Sequence, residues 1–391
     1  MNDVVEVEVG IRMTCVAVCY VEAMTDAQKY QRCMVMAGGG FRYGIYLGQY
    51  AAACEVGEPP DVVLASCGAS IAAALIHSVP DDAQRRAWLV SPEMYQFWSR
   101  FTPGPSAALH RTMWGVARRA LQRGAAPTVP DLFGDYLFAV PPALPAFPTP
   151  PTASERHATP DVAIIGSRLM FTQDEVGQPR GQRKLLEETV FAPPRTAQLL
   201  QGVRSPFQGA QWGNTVVAPT VAVDTAMPLP EAVRISVSDM LYFPAYPRGD
   251  AHYLGGVVDL LPIELAQRLA HQVVIEFKSE FEPFTSAPAW RAVLGMDAHQ
   301  RLRHVHAQQA DVWIDSSDIS QALPTQTMQK KMDWCNNRLV LQPPVSHAVF
   351  AQHMQAQWDY GYQRGLEAFA RRPRGAQAGM RRVNAYNRGA V

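Results

Sequence analysis

The sequence predicts an α/β protein that opens with parallel strands. Two stretches carry that prediction. Val62-Val63-Leu64-Ala65 is an apolar run that passes at once into Ser66-Cys67-Gly68-Ala69-Ser70, then into small and apolar residues as far as Ile76. That is the pattern of a buried strand, a very tight turn and a helix packed close to its sheet. Upstream, Cys33-Met34-Val35-Met36-Ala37 runs straight into Gly38-Gly39-Gly40 and a helix-like segment at 45–51. Strand, glycine loop, helix, strand, tight turn and helix make a right-handed βαβ start. Both turns then lie at the carboxyl ends of parallel strands, where such sheets bind ligands.

The remaining elements follow in order. Residues 1–30 read as a lead-in or an edge strand. Asp3, Glu6 and Glu8 stand where a signal peptide would be basic, and the apolar stretch 13–20 is too short to span a bilayer. No other stretch approaches a membrane span. Residues 31–370 read as one domain with an insertion at about 81–160. The insertion begins as helices rich in aromatics (Trp88, Tyr95, Phe97, Trp98, Phe101, Trp114), which suit either a lid or ordinary core helices. It ends in seven prolines within the twenty residues 141–160, an extended segment, because proline supplies no N–H to helix or sheet. Strands are expected at 161–166, 221–223, 273–277 and 310–315, and helices at 230–238, 262–271 and 345–371. Residues 168–182 read as a polar hairpin-like excursion, and 371–391 as a mobile basic tail.

Bulk composition narrows the function classes. Lys+Arg and Asp+Glu are both 35, giving zero net charge. Nucleic acid is therefore not the expected partner, since phosphate binding draws on excess positive charge. Six cysteines at 15, 19, 33, 54, 67 and 335 form no CxxC pair. They read as reduced thiols of a cytoplasmic protein, with no metal site and no cofactor. A nucleotide site at Gly38–Gly40 is disfavoured, because no acidic residue ends the second strand where a ribose would need it.

Three motifs in this order and frame resemble the patatin-like acyl hydrolases of phospholipase A type. The glycine loop Gly38-Gly39-Gly40-Phe41-Arg42-Tyr43-Gly44 resembles the family's GGGxRG. Ala65-Ser66-Cys67-Gly68-Ala69 stands at its elbow motif G-x-S-x-G. Leu254-Gly255-Gly256-Val257-Val258-Asp259-Leu260-Leu261-Pro262 fits its D-G-G-x-x-D-N-x-P. The resemblance spans about 30–370, with further echoes at 235–244, 310–315 and 358–362. It implies a three-layer α/β/α fold around a mainly parallel central sheet with a nucleophile elbow, and a Ser–Asp dyad of which both members are changed: Cys67 stands at the nucleophile and Leu254 at the aspartate. A competing register, Gly68-Ala69-Ser70-Ile71-Ala72, would make Ser70 the nucleophile.

Acyl transfer or slow hydrolysis through Cys67 is the expected chemistry, on a lipid ester or an acyl-carrier thioester. Gly39 and Gly40 would supply oxyanion donors. The helix N-terminus would lower the thiol below its free value. His252, two residues before Leu254, would be the replacement base if that segment is extended, or a surface residue if not. Arg42 and Gly68 would contact substrate, Arg42 by holding the glycine loop or meeting an anionic head group. Asp259 reads as structural. Peripheral membrane contact is compatible with such a substrate. The alternative is a protein that kept the fold, lost the chemistry and binds a lipid, an acyl carrier or a protein, with Cys67 an inert buried thiol.

Overall fold

The computed structural model describes residues 29–371, except 123, 125–126, 142–143, 149–158, 214, 279–280 and 282–285. The expected lead-in at 1–28 and basic tail at 372–391 lie outside the described residues. In chain order the strands are β1 (Tyr30–Met36), β2 (Val62–Ser66), β3 (Thr102–Pro103), β4 (Phe138–Ala139), β5 (Asp161–Leu169), β6 (Leu186–Phe191), β7 (Ala222–Asp224), β8 (Tyr246–Arg248), β9 (Ala251–Leu254), β10 (Ala270–Phe277), β11 (Val312–Asp315), β12 (Gln329–Asp333) and β13 (Arg338–Gln342). The helices are α1 (Gly44–Glu55), α2 (Ala69–Ser78), α3 (Asp82–Leu89), α4 (Pro92–Ser99), α5 (Leu109–Leu121), α6 (Pro194–Leu200), α7 (Leu229–Ser236), α8 (Ile263–Leu269), α9 (Ser286–Leu294), α10 (Ala298–His306), α11 (Ile319–Ala322) and α12 (His347–Ala370).

The main sheet runs β11-β10-β1-β2-β5-β6-β7, with β9 pairing β5 and β8 pairing β9. Its centre, from β11 to β5, is parallel. The β5–β6 and β5–β9 pairs are antiparallel. Parallel strands are buried on both faces and so read as unbroken apolar runs rather than alternating ones. β1 shows this: Met34 and Met36 face one core, while Cys33 and Val35 face the other. The first core packs under α1, α2, α4, α7 and α12, and the second under α6, α8 and α10. The sheet is thus the middle of three layers. A third core, including Leu254, Val258 and Trp290, lies beside the antiparallel part.

α1 is apolar almost all round and almost wholly buried, so it needs close partners on every side. It finds one in α12. A Cβ on Gly48 would stand 2.6 Å from the Tyr362 amide nitrogen, and one on Gly361 2.8 Å from the Ile45 Cα. Glycine at both positions is what lets the two backbones touch.

Several local expectations change. Residues 301–306 belong to α10, a helix whose polar sequence shows no clear apolar stripe, capped by the Asp297 carboxylate on the His299 amide. β8–β9 and β12–β13 are hairpins whose short, mixed-polarity strands give little alternation to read. The proposed excursion at 168–182 begins inside β5, which continues to Leu169. Trp98, a candidate for a lid, is buried in the first core, where its indole N–H donates to the Tyr43 hydroxyl at 2.9 Å.

Candidate active site

β2 ends at Ser66 and α2 begins at Ala69, so the turn between them is two residues long. Cys67 sits at its apex with φ 51°, in the left-handed region that a side chain rarely occupies. Such strain persists only where surrounding bonds over-determine it. The Cys67 amide donates to Ser236 Oγ at 2.9 Å, and that hydroxyl donates to the Ile165 carbonyl at 2.7 Å. Ser66 Oγ donates to the Asp259 carbonyl at 2.7 Å. Ser70 Oγ donates to the Cys67 carbonyl at 2.6 Å. Ser70 is fully buried in the first turn of α2 with its proton committed, so Cys67 occupies the elbow and Ser70 does not.

The glycine loop closes over this turn. Gly40 takes a left-handed φ of 57°. A Cβ on Gly38 would lie 3.1 Å from the Cys67 Cβ, and any side chain on Gly68 would collide with the Gly40 carbonyl. The Gly68 and Gly40 backbones both favour a charged Cys67 sulfur, pulling its pKa down against burial. One follows the elbow residue and the other comes from the loop after the first strand. That is the arrangement by which elbow enzymes hold an oxyanion. Gly39, the other expected donor, is not among the groups that act on the sulfur; its carbonyl accepts the Arg42 amide at 3.2 Å. Lys278, past the end of β10, donates to the Gly38 carbonyl and pairs with buried Glu276 at 3.4 Å.

The thiol is only 7% exposed. Burial pushes it up to about 12, the nearby Asp239 carboxylate adds to the rise, and the Gly68 amide, Lys278 and the Gly40 amide offset part of it. The helix N-terminus is expected to lower this thiol; desolvation outweighs it, and the expectation is corrected. Cys67 is protonated at neutral pH and needs a base.

His252 does not supply that base by position. It lies on β9 opposite Pro247, with its ring edge-on to Phe133 at 5.0 Å, and it is not among the groups that act on Cys67. Leu254 ends the same strand opposite Ser167 and is fully buried in the third core, so no carboxylate occupies the place the family motif assigns to one. The carboxylate that acts on Cys67 is Asp239, from the turn after α7. Burial pushes it up to about 7, against the Met240 amide and the Lys330 ammonium, which pull it down. That turn is tight: Leu241 has φ 62°, and the Asp239 carbonyl accepts the amides of Tyr242 at 3.1 Å and Phe243 at 2.8 Å. Burial pushes the Tyr242 phenol up, and the charges of Asp239 and Cys67 add to the rise. Asp239 is the only charge between Ile235 and Ala245, a signal the sequence did offer.

Arg42 donates to the Leu323 carbonyl at 3.2 Å. Asp259 is fully buried, with Arg301 donating to its two oxygens at 3.1 and 3.2 Å and to Glu264 at 2.7 Å. It anchors the segment behind the elbow.

The model of the family described as patatin-like phospholipase matches residues 34–266, well over half of the chain, and its span takes in both the elbow and the Leu254 segment. The chain belongs to this patatin-like family. Two solved structures are similar. The type III effector protein ExoU is 14% identical, with 92% of this chain and 60% of that one covered and a TM-score of 0.27. VipD from Legionella pneumophila is 10% identical, with 87% and 67% covered and a TM-score of 0.33. This chain thus spans less than two thirds of ExoU. No curated protein matches in sequence. The patatin-like fold agrees with the mostly parallel sheet and its helices on both faces. Among the described residues, no helix is long and apolar enough to cross a membrane, and no cluster of side chains would hold a metal ion.

Proposed function

We propose that this patatin-like protein transfers acyl groups from a lipid ester or acyl thioester through Cys67, in a reducing cytoplasm. The observation that carries the reading is the elbow itself, with Cys67 at its apex in a left-handed conformation and the glycine loop packed so closely on it that Gly38 and Gly68 have no room for a side chain. In the attack, the thiol proton passes to Asp239 as the sulfur–carbonyl carbon bond forms. The Gly40 and Gly68 amides bond the oxygen as it becomes negative. Asp239 then returns the proton to the leaving alcohol or thiol, and the acyl group leaves to water or a second acceptor. Removing one such donor typically costs about 3–4 kcal/mol of barrier, so a pair kept in place is a large part of the catalysis. Leu254 removes the group that in the family would activate water, which favours transfer over hydrolysis.

A second reading is a lipid- or carrier-binding protein without turnover. The thiol pushed up to about 12 favours it. The test is turnover of p-nitrophenyl acyl esters and acyl thioesters by the wild type, Cys67→Ala and Cys67→Ser. The proposal expects at least about a hundred-fold loss in Cys67→Ala. Equal rates in the wild type and Cys67→Ala would leave the binding protein standing.

A further inference from the structure

α5 has no buried residue. Its outer side carries Met113 (63% exposed), Trp114 (72%) and Leu121 (83%). At 100° per residue, Met113, Leu121 and Trp114 fall within one arc of roughly 100°, and Arg118 and Arg111 continue it on the Trp114 side. The helix is nonetheless well fixed. Its Leu109 amide donates to the Asn337 carbonyl at 2.9 Å, Thr112 Oγ1 donates to the Ser106 carbonyl at 2.8 Å, and Arg119 pairs with Asp135 at 3.8 Å. A fixed helix that turns tryptophan, methionine and leucine outward is built to meet something apolar.

The Asn337 contact joins α5 to the β12–β13 hairpin, which Ala108 also bridges through Arg338. The hairpin tip carries Trp334, 77% exposed. α5 and residues 329–342 together hold Arg111, Arg118, Arg119, Lys330, Lys331 and Arg338 against one carboxylate, Asp333, in a chain of zero net charge. Arg338 stands 3.7 Å from Asp333. Arg111, Arg118 and Lys331 are exposed. An apolar wedge with a tryptophan on each element and a margin of cations is the chemistry of an interfacial helix on an anionic bilayer. The root of the hairpin reaches the site: the Lys330 ammonium stands 5.3 Å over the Tyr242 ring.

We infer that α5 and the tip of the β12–β13 hairpin form one docking surface for an anionic lipid bilayer, with Met113, Trp114, Leu121 and Trp334 entering the interface and Arg111, Arg118 and Lys331 meeting the head groups. This holds whether or not Cys67 reacts, so the test uses full-length Cys67→Ala protein and fails separately from the proposed chemistry. Flotation is measured with neutral phosphatidylcholine vesicles and with vesicles containing about 30% phosphatidylglycerol, at low and high salt. The Cys67→Ala protein binds the anionic vesicles and not the neutral ones, and salt releases it. Adding Arg111→Glu/Arg118→Glu weakens binding by at least about tenfold. Adding Trp114→Ser/Trp334→Ser weakens it by a similar factor and removes a blue shift in tryptophan emission on binding. Arg111, Arg118, Trp114 and Trp334 are exposed, so each added change leaves the thermal unfolding of the Cys67→Ala parent unaltered. Equal binding to both vesicle types, or equal binding by parent and variants, overturns the inference. So does a concentration-dependent dimer in sedimentation that the tryptophan changes abolish while vesicles bind nothing, which would give this face to a second copy of the chain.

Discussion

Replacing Asp239 by asparagine separates a working carboxylate from a structural one. Its pKa rises from the ordinary 3.8 to about 7 because the charged form is desolvated beside Cys67. The sign follows from that direction. A carboxylate raised in the folded state favours folding only while it is protonated. Its contribution is complete below about pH 4 and is lost as pH rises through about 7. A difference of about three pH units at 1.36 kcal/mol each sets an upper figure of about 4 kcal/mol, and the partial water access of Asp239 brings this to about 2–4 kcal/mol. Asp239→Asn keeps the shape and removes the charge. At pH 8 the variant should be more stable than the wild type by about 2–4 kcal/mol, and at pH 4 the two should agree within about 1 kcal/mol. Urea unfolding from pH 4 to pH 9 measures this. The same variant should lose at least about a hundred-fold in acyl transfer, together with the rise in wild-type rate as pH passes about 7. A stability difference that does not change with pH would refute the desolvation, and unaltered transfer would refute the role as base.

Three further outcomes follow from the site and its support. At pH 7.5, iodoacetamide should label exposed Cys335 long before Cys67, whose rate should rise about tenfold per pH unit up to pH 10, as peptide mapping would show. Gly68→Ala should cost at least about a hundred-fold in transfer, because its side chain would push the Gly40 carbonyl and the oxyanion amides apart, while far-ultraviolet circular dichroism stays native. Arg301→Met should destabilise by about 3–5 kcal/mol, because it leaves the fully buried Asp259 and Glu188, and the half-buried Glu264, without their shared cation. That loss should be larger at pH 8 than at pH 5 in urea unfolding, since Asp259 and Glu188, which burial pushes up, recover by protonation at low pH.

The sequence made the strands and turns of the parallel half legible, because buried parallel strands are short apolar runs and glycine marks where the backbone must come close. Motif spacing is enough to bring Cys67 to the turn after β2, with Gly40 and Gly68 packed against each other beside it and Asp259 buried behind it. Asp239 was not legible in this way, because its place depends on how the turn after α7 folds against the elbow, and no local spacing encodes that approach. His252 looked right through strand periodicity alone, but the β8–β9 hairpin sets its ring against Phe133. The thiol was read as activated from the helix N-terminus, a local feature. Its actual state is set by burial, which is a property of the whole packing around the elbow. α10 was missed because Arg301, His304 and His306 look like a polar connection until Arg301 is seen inside a carboxylate cluster.

The central claim is that the sulfur of Cys67 takes the acyl group. Intact-mass analysis of a Cys54→Ser/Cys335→Ser protein, quenched in acid during reaction with a p-nitrophenyl acyl ester and followed by peptide mapping, tests it most directly. The account predicts one added acyl mass on the peptide containing Cys67, absent from Cys67→Ala and strongly reduced in Asp239→Asn. Ester turnover with no acyl group on that peptide, or acylation that persists on the chain in Cys67→Ala, would contradict it.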